Sequence, residues 1–438
     1  MDNNYMFNCS HCDAQYLKWQ GRCNECSKWG SLIEDVTQPK TTSPQAKTTN
    51  QTAVPLLNLS DARTVQVTHR PTNISELDRV LSGGIVPGSV TLLAGEPGIG
   101  KSTLVAQIAS SFTQKNQNGE ISKVYYVSGE ESEGQVSMRL ARLGIDSHNI
   151  VFSNTVDVGG VITTAVKEKP ALLIIDSIQT MMPCAIDNLP GSPTAVRSAT
   201  AELIGFAKSS NIPVLLIGQV TKDGNIAGPK TLEHLVDTLL TLEGEKDSTY
   251  RVLRASKNRF GATDEVGVFE MKESGMVPVV NPSAKFLEER AETAGSVITC
   301  IMEGTRPFLI EVQALAEKSY FPNPIRRTSG FDSARLQMLL AIISKRAGVN
   351  VSTFDIYINI VGGLKVHETA VDLAVCTAII ASVKEKIMAK DTLVVGELGL
   401  GGEIRSVSFL EKRLKEAERL GITKAITPKT LKNIKDLI

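Results

Sequence analysis

Residues 95–103 read GEPGIGKST: glycines at alternating intervals, then a lysine, then two hydroxyls. That order suits a polyphosphate. Gly95, Gly98 and Gly100, with Glu96, Pro97 and Ile99 between them, let the N–H groups of a tight loop curl round phosphate oxygens. Lys101 is placed to reach the β- and γ-phosphates of a nucleoside triphosphate, and the Ser102 hydroxyl, followed by Thr103, to ligate Mg2+. The loop follows the apolar run SVTLLA and opens the helical run STLVAQIASSF, the context this motif requires. A helix N-terminus there adds to anion binding. ATP and Mg2+ are therefore the expected ligands. Two further apolar runs end in acids of use to the same chemistry. ALLIID ends with Asp176, suited to hold the metal's hydration shell. VYYVSGEES ends with Glu130 and Glu131; an acid there can face the γ-phosphate and take a proton from water, with Glu130 the candidate base.

A second metal chemistry is written near the N-terminus. Cys9, Cys12, Cys23 and Cys26 form two C-x2-C knuckles, the pattern of a tetrahedral four-thiolate Zn2+ site. A unit this short has too little core to fold without such a staple. His11 reads as a spacer, since four thiolates already fill the site. A closed site is structural, so the unit is assigned to contact with a partner or DNA. Cys184, Cys300 and Cys376 are scattered; an odd total of seven cysteines is no disulfide framework and fits a reducing compartment.

The elements that must position these residues follow from pattern. At 438 residues the chain is too long for one ordinary core. Its 42% hydrophobic and 21% charged residues are those of a soluble protein. No apolar run is long enough to span a bilayer and no leader is evident, so a cytoplasmic protein without membrane contact is expected. Zero net charge leaves room for DNA only in a local basic channel. Residues 1–35 form the zinc unit, and 36–60, rich in Thr, Pro, Gln and Lys, form a linker. Over 61–282 short apolar runs alternate with helical patterns, as in an α/β fold on a buried, mainly parallel sheet. Over 283–438 GSVITCIMEGTRPFLIEVQALAE predicts paired strands, residues 331–345 and 368–386 predict helices, and SFLEKRLKEAERLG predicts a charged one. This is a second α/β domain.

With these residues in view, ELDRVLSGGIVPGSVTLLAGEPGIGKSTL resembles the entry pattern of the RecA family, and IPVLLIGQ resembles the strand that carries its γ-phosphate sensor, which makes Gln219 the candidate. Over nearly the whole chain, the zinc knuckles with LKWQGRC, the phosphate loop, SKNRFG and the C-terminal part resemble the bacterial RadA (Sms) family of DNA repair and recombination proteins. The resemblance implies a homo-hexameric ATP-driven motor that binds single-stranded DNA and promotes branch migration of branched intermediates alongside the RecA recombinase. It also implies a role in DNA-linked function for Lys257-Asn258-Arg259-Phe260-Gly261. A Lys and an Arg at a strand end can stabilise a neighbouring subunit's γ-phosphate, and this role is favoured for Lys257 or Arg259. They can alternatively meet DNA phosphates, with Phe260 stacking on a base. By the same resemblance Arg197 on one loop, and Lys222 and Lys230 on another, line a DNA channel. The family often carries His where this chain has Gln219, so the coupling of hydrolysis to DNA is open.

Residues from about 285 onward resemble the Lon protease domain, in GTRPFLIEVQAL, IVGGLKVHETAVDLAV and VVGELGLGGEIRSVSFLEKRLKEA. Lon-type proteolysis needs a Ser nucleophile and a Lys base. The resemblance places these near Ala370 and near Glu411, beside Lys412, and no serine stands there. A non-proteolytic, ring-forming scaffold is implied.

Overall fold

A computed structural model describes residues 6–10, 15–16, 18–23, 25–35, 68–114, 122–184, 191–219, 232–244, 249–288, 290–362 and 365–437. The stretch read as a linker, together with Cys12, Lys222 and Lys230, lies outside these residues. No helix among them is long and apolar enough to cross a membrane.

The N-terminal part is an antiparallel sheet of three strands, β1 (Met6–Cys9), β2 (Gln15–Tyr16) and β3 (Leu32–Asp35), in the order β2-β1-β3. Its interior is small: Cys9, Cys23 and Leu32 are buried, with Phe7 and Tyr16 against them. Thiols take the place of a hydrophobic core.

Short helix α1 (Ser75–Val80) leads into the large sheet. Its strands are β4 (Val90–Gly95), β5 (Val124–Ser128), β6 (Ile150–Ser153), β7 (Leu172–Asp176), β8 (Val214–Gln219), β9 (Thr238–Glu243), β10 (Tyr250–Asn258), β11 (Val266–Lys272) and β12 (Gly275–Pro278). The order is β12-β11-β10-β9-β4-β8-β7-β5-β6. From β9 to β6 every pairing is parallel; β10, β11 and β12 extend the sheet antiparallel. The expected mainly parallel sheet is found. β4, β5 and β7 are buried at every residue, which explains why they read as unbroken apolar runs and do not alternate.

Helices cover both faces. α2 (Lys101–Thr113) and α3 (Glu133–Arg142) pack Leu104, Ile108, Phe112, Val136 and Leu140 on one side. On the other, α4 (Val158–Glu168) and α5 (Pro193–Ser210) supply Val161, Ala165, Val196 and Leu203. The starts of α3, α4 and α5 are fixed by side-chain caps: Ser132 and Gln135 in a capping box, Asp157 accepting from the Gly159 and Gly160 amides, Ser192 accepting from Ala195. Because the central strands are parallel, Gly95, Ser128, Asp176 and Gln219 all end at one edge. Ligands of open α/β sheets bind at that edge.

Beyond α6 (Pro282–Leu287) a second sheet begins with the hairpin β13 (Ser296–Glu303) and β14 (Arg306–Lys318). With β15 (Arg326–Ser329), β16 (Phe354–Ile360), β17 (Thr392–Val394) and β20 (Lys424–Ile426) it runs β15-β16-β14-β13-β17-β20; β18 (Glu397–Leu398) and β19 (Ile404–Arg405) pair separately. The helices expected here are α7 (Ser333–Ile342), prolonged by a π-turn to Ala347, α8 (Asp372–Val383) and α9 (Leu410–Arg419). α8 is buried continuously from Asp372 to Ala381, hence its lack of a polar face.

Candidate functional site

At the end of β4 the chain turns through Gly98 (φ 79°) and Gly100 (φ 113°), left-handed conformations that glycine adopts without strain. A Cβ on Gly100 would lie 2.5 Å from the Met271 methyl. α2 starts at Lys101 itself, so its free N–H groups face the loop, and Ser102 and Thr103 sit in its first turn. The Lys101 ammonium is buried and donates to the Gly95 carbonyl (2.8 Å) and the Glu96 carbonyl (2.9 Å). Burial lowers its pKa, while the Asp176 and Glu130 carboxylates pull it back up. From β10, Arg251 Nε donates to the Ile99 carbonyl at 3.0 Å, bracing the loop from behind.

The acids at the strand ends separate in role. Asp176 Oδ2 accepts a 2.7 Å hydrogen bond from the hydroxyl of Tyr126, a buried β5 residue. Burial raises the Asp176 pKa, and the Tyr126 hydrogen bond opposes that rise. The Tyr126 phenol is in turn pushed well up, by burial and by the Asp176 charge. At the end of β5 the Ser128 hydroxyl accepts the Glu130 and Glu131 amides (3.3 and 2.9 Å), and the two carboxylates take different partners. Glu131 forms an ion pair with Arg139 of α3. Among the described residues Glu130 forms no ion pair: it accepts from the Ser177 hydroxyl and from Gln219 Nε2, 3.2 Å from Oε2. Gln219 is level with Gly95 on the neighbouring strand. Lys101, Asp176, Glu130 and Gln219, spread over more than a hundred residues of sequence, therefore meet at one strand edge beside the phosphate loop.

In the N-terminal unit the sulfurs of Cys9, Cys23 and Cys26 all lie within 4.8 Å of one another. Cys9 Sγ is 3.6 Å from Cys26 Sγ and 3.2 Å from the Ser31 hydroxyl, and the Tyr16 hydroxyl is 3.2 Å from Cys23 Sγ. Converging thiols, two buried and Cys26 half-buried, with hydroxyls beside them fit a thiolate-held metal. Family models match three stretches of the chain. A rubredoxin metal-binding domain model matches residues 7–34, an AAA domain model residues 55–225, and a model named subunit ChlI of Mg-chelatase residues 334–431. The DNA repair protein RadA of Aquifex aeolicus is 43% identical over 98% of this chain and 94% of its own length. That of Streptococcus pyogenes serotype M6 is 44% identical over 97% and 92%. The chain belongs to the RadA family. A crystal structure of the RadB recombinase is 25% identical and covers 48% of this chain and 98% of its own, with a TM-score of 0.38.

The remaining residues singled out in this RadA-family chain lie elsewhere. β10 runs antiparallel to β9, so Asn258 pairs with Thr238, which is level with Thr91, whereas Leu242 is level with Gly95. SKNRFG thus sits about 13 Å down the sheet from the phosphate loop, at the opposite edge. There Lys257 Nζ donates to the Glu233 carbonyl (2.6 Å), and half-exposed Arg259 pairs with Asp237 (3.1 Å). Asp237 also accepts the Val90 amide at 3.0 Å, which anchors the pair to the start of β4. Neither cation faces its own chain's loop. Arg197 is exposed but stands within α5 and not at a loop end, because Ser192 caps and Pro193 opens the helix four residues earlier.

In the C-terminal sheet Ala370 is buried in a 3-10 turn, packed in a cluster with Ile298 and Leu309. Glu411 is exposed and paired with Lys429, and the Lys412 ammonium lies 5.2 Å over the Phe409 ring. Arg413, the next residue, is fully buried and holds Glu368 with both arms (2.9 and 2.6 Å). Sequence reasoning missed Tyr126, Ser177, Arg251 and Asp237. Each reads as an ordinary strand or turn residue, and only sheet pairing brings it to its partner.

Proposed function

We propose that this RadA-family chain is a DNA-stimulated ATPase motor that binds single-stranded DNA and promotes branch migration of recombination intermediates in DNA repair. It works as a homo-hexamer alongside the RecA recombinase. The observation that carries the reading is the Glu130 carboxylate, held by Gln219 and Ser177 and, among the described residues, in no ion pair, at the edge where the phosphate loop opens.

In this reading the loop amides and Lys101 bind the ATP phosphates, exchanging the two carbonyls that Lys101 now contacts for phosphate oxygens. Ser102 and Asp176 would hold Mg2+, which supplies charge neutralisation at the β- and γ-oxygens. Glu130 accepts the proton of the attacking water. Gln219 touches Glu130 and immediately precedes the stretch with Lys222 and Lys230, so it links that base to the DNA loop. Arg197, Lys222 and Lys230 contact the strand. At least one of Lys257 and Arg259, both facing away from their own loop, serves the neighbouring subunit's γ-phosphate. Zn2+ on Cys9, Cys12, Cys23 and Cys26 would cross-link the N-terminal unit. The C-terminal domain is a Lon-like scaffold without proteolytic chemistry.

The test is ATP hydrolysis with and without single-stranded DNA over a range of protein concentrations. Stimulation that steepens with concentration is the expected result. Hydrolysis indifferent to DNA would replace the motor with an ATP-binding platform that recruits DNA and RecA without translocating.

A further inference from the structure

The chain holds two tryptophans, and both lie in the zinc unit, in the repeated dipeptide Lys18-Trp19 and Lys28-Trp29. A tryptophan is ordinarily among the most buried residues of a fold. These two are 63% and 76% exposed. The backbone holds them together: Arg22 and Trp29 form a β-bridge, and the Gly30 amide donates to the Gly21 carbonyl at 2.8 Å. Both indoles converge on Gly21. A Cβ built there would lie 3.5 Å from the Trp29 ring and 3.9 Å from the Trp19 ring. Gly21 has no left-handed φ, so its backbone conformation does not call for glycine. The glycine leaves the nearby edges of both rings uncovered by a side chain of its own.

Cations surround these rings. Lys18 and Lys28 are exposed next to the two indoles, and the Arg22 guanidinium lies 6.0 Å over the Trp29 ring while its Nε donates to the Ser27 carbonyl at 2.9 Å. Over residues 18–29 the one acid is Glu25. Two exposed indoles side by side with cations around them suit single-strand binding: every base has a face to stack, and its phosphates need charge. A protein-binding patch also favours Trp and Arg, but lysine is depleted from such interfaces. Here lysine precedes each tryptophan.

We propose that Trp19 and Trp29 form a base-stacking site for single-stranded nucleic acid, with Lys18, Arg22 and Lys28 meeting the phosphates. The site is separate from the phosphate loop and needs no bound nucleotide. It gives the zinc unit a direct hold on the strand, beyond the channel contacts proposed above, and it stands whether or not the motor reading does.

These two residues are the chain's own reporter. The zinc-loaded full-length protein is titrated with a short oligothymidylate without ATP. Indole emission is read alongside the anisotropy of an end-labelled copy of the same oligonucleotide. Stacking predicts quenching that saturates together with the anisotropy. Trp19→Leu and Trp29→Leu each weaken binding about five- to hundred-fold, whereas Trp→Phe at either position keeps most of it. Lys18→Gln and Lys28→Gln each lower the slope of log affinity against log salt by about 0.7. Zinc content per chain, measured on every variant, shows that the unit is still folded. Saturating anisotropy with unchanged indole emission would overturn the proposal. So would equal binding by the Leu and Phe variants, indole quenching by a protein partner but not by the oligonucleotide, or no oligonucleotide binding at all. Arg197→Ala separates the two readings: it leaves the indole quenching in place even where it abolishes DNA stimulation of hydrolysis.

Discussion

The Tyr126 hydroxyl does two things for Asp176: it fixes one carboxylate oxygen, and it offsets part of the pKa rise that burial imposes. Tyr126→Phe removes both and leaves the ring packed. Asp176 then loses its proton only at higher pH, so the Mg2+ concentration for half-maximal ATP hydrolysis rises. The increase is largest on the acid side of neutrality; a Mg2+ titration repeated over pH checks it. The raised Asp176 pKa also has a consequence for stability. The folded state binds this proton more tightly than the unfolded state, so an ionised Asp176 costs stability above the folded pKa and nothing below the unfolded one. Asp176→Asn should therefore raise Tm at neutral pH, with a gain that shrinks as pH falls toward the ordinary carboxylate range, while hydrolysis is lost. Thermal melts across pH test this sign. Lys101→Ala should abolish turnover at every pH, measured as phosphate release.

Between elements, the C-terminal sheet depends on a charged contact as well as on packing. Arg413 of α9 is 1% exposed and binds Glu368, just before α8, and the Cys300 carbonyl of β13. Removing one partner strands the other's charge. Arg413→Ala should cost about 3 kcal/mol of stability in denaturant unfolding. The double replacement Arg413→Met with Glu368→Leu should recover much of that loss, because no buried charge is left unpaired. A similar clamp joins the two large sheets. Arg306, which opens β14, donates to the buried Glu76 of α1 (2.6 Å) and to the Val280 carbonyl (2.9 Å), and Glu76 also accepts the Val268 amide (2.9 Å).

At the scale of the whole molecule, the separation of SKNRFG from the phosphate loop makes a distinctive prediction. If Arg259 completes a neighbour's site, Arg259→Ala should lose turnover and keep ATP binding. Mixing that variant with Lys101→Ala then restores activity, because a wild-type loop from one and a wild-type Arg259 from the other meet at some interfaces. With random assembly and independent sites about a quarter of the interfaces are intact. Titrating one inactive variant into the other and measuring ATP hydrolysis checks this; no recovery would place Arg259 on DNA or in a structural contact.

Residue order alone determined much of this protein. The phosphate loop was legible because its glycines, lysine and hydroxyl act within nine consecutive residues, between a strand and a helix whose patterns are equally local. The mainly parallel sheet was legible because strands buried on both faces are apolar throughout, and the thiol cluster because its spacing is short. Tertiary structure alone decided which acid stands where. Glu130 and Glu131 are adjacent and chemically alike, and only the approach of Arg139 on one side and of Gln219 and Ser177 on the other separates them. It likewise decided that Lys257 and Arg259 turn away from their own loop, through the antiparallel register of β10 on β9. Tyr126 with Asp176, and Arg251 with Ile99, are pairs 50 and 152 residues apart. A contact over such a distance is set by strand order, and strand order emerges only when the whole sheet is assembled.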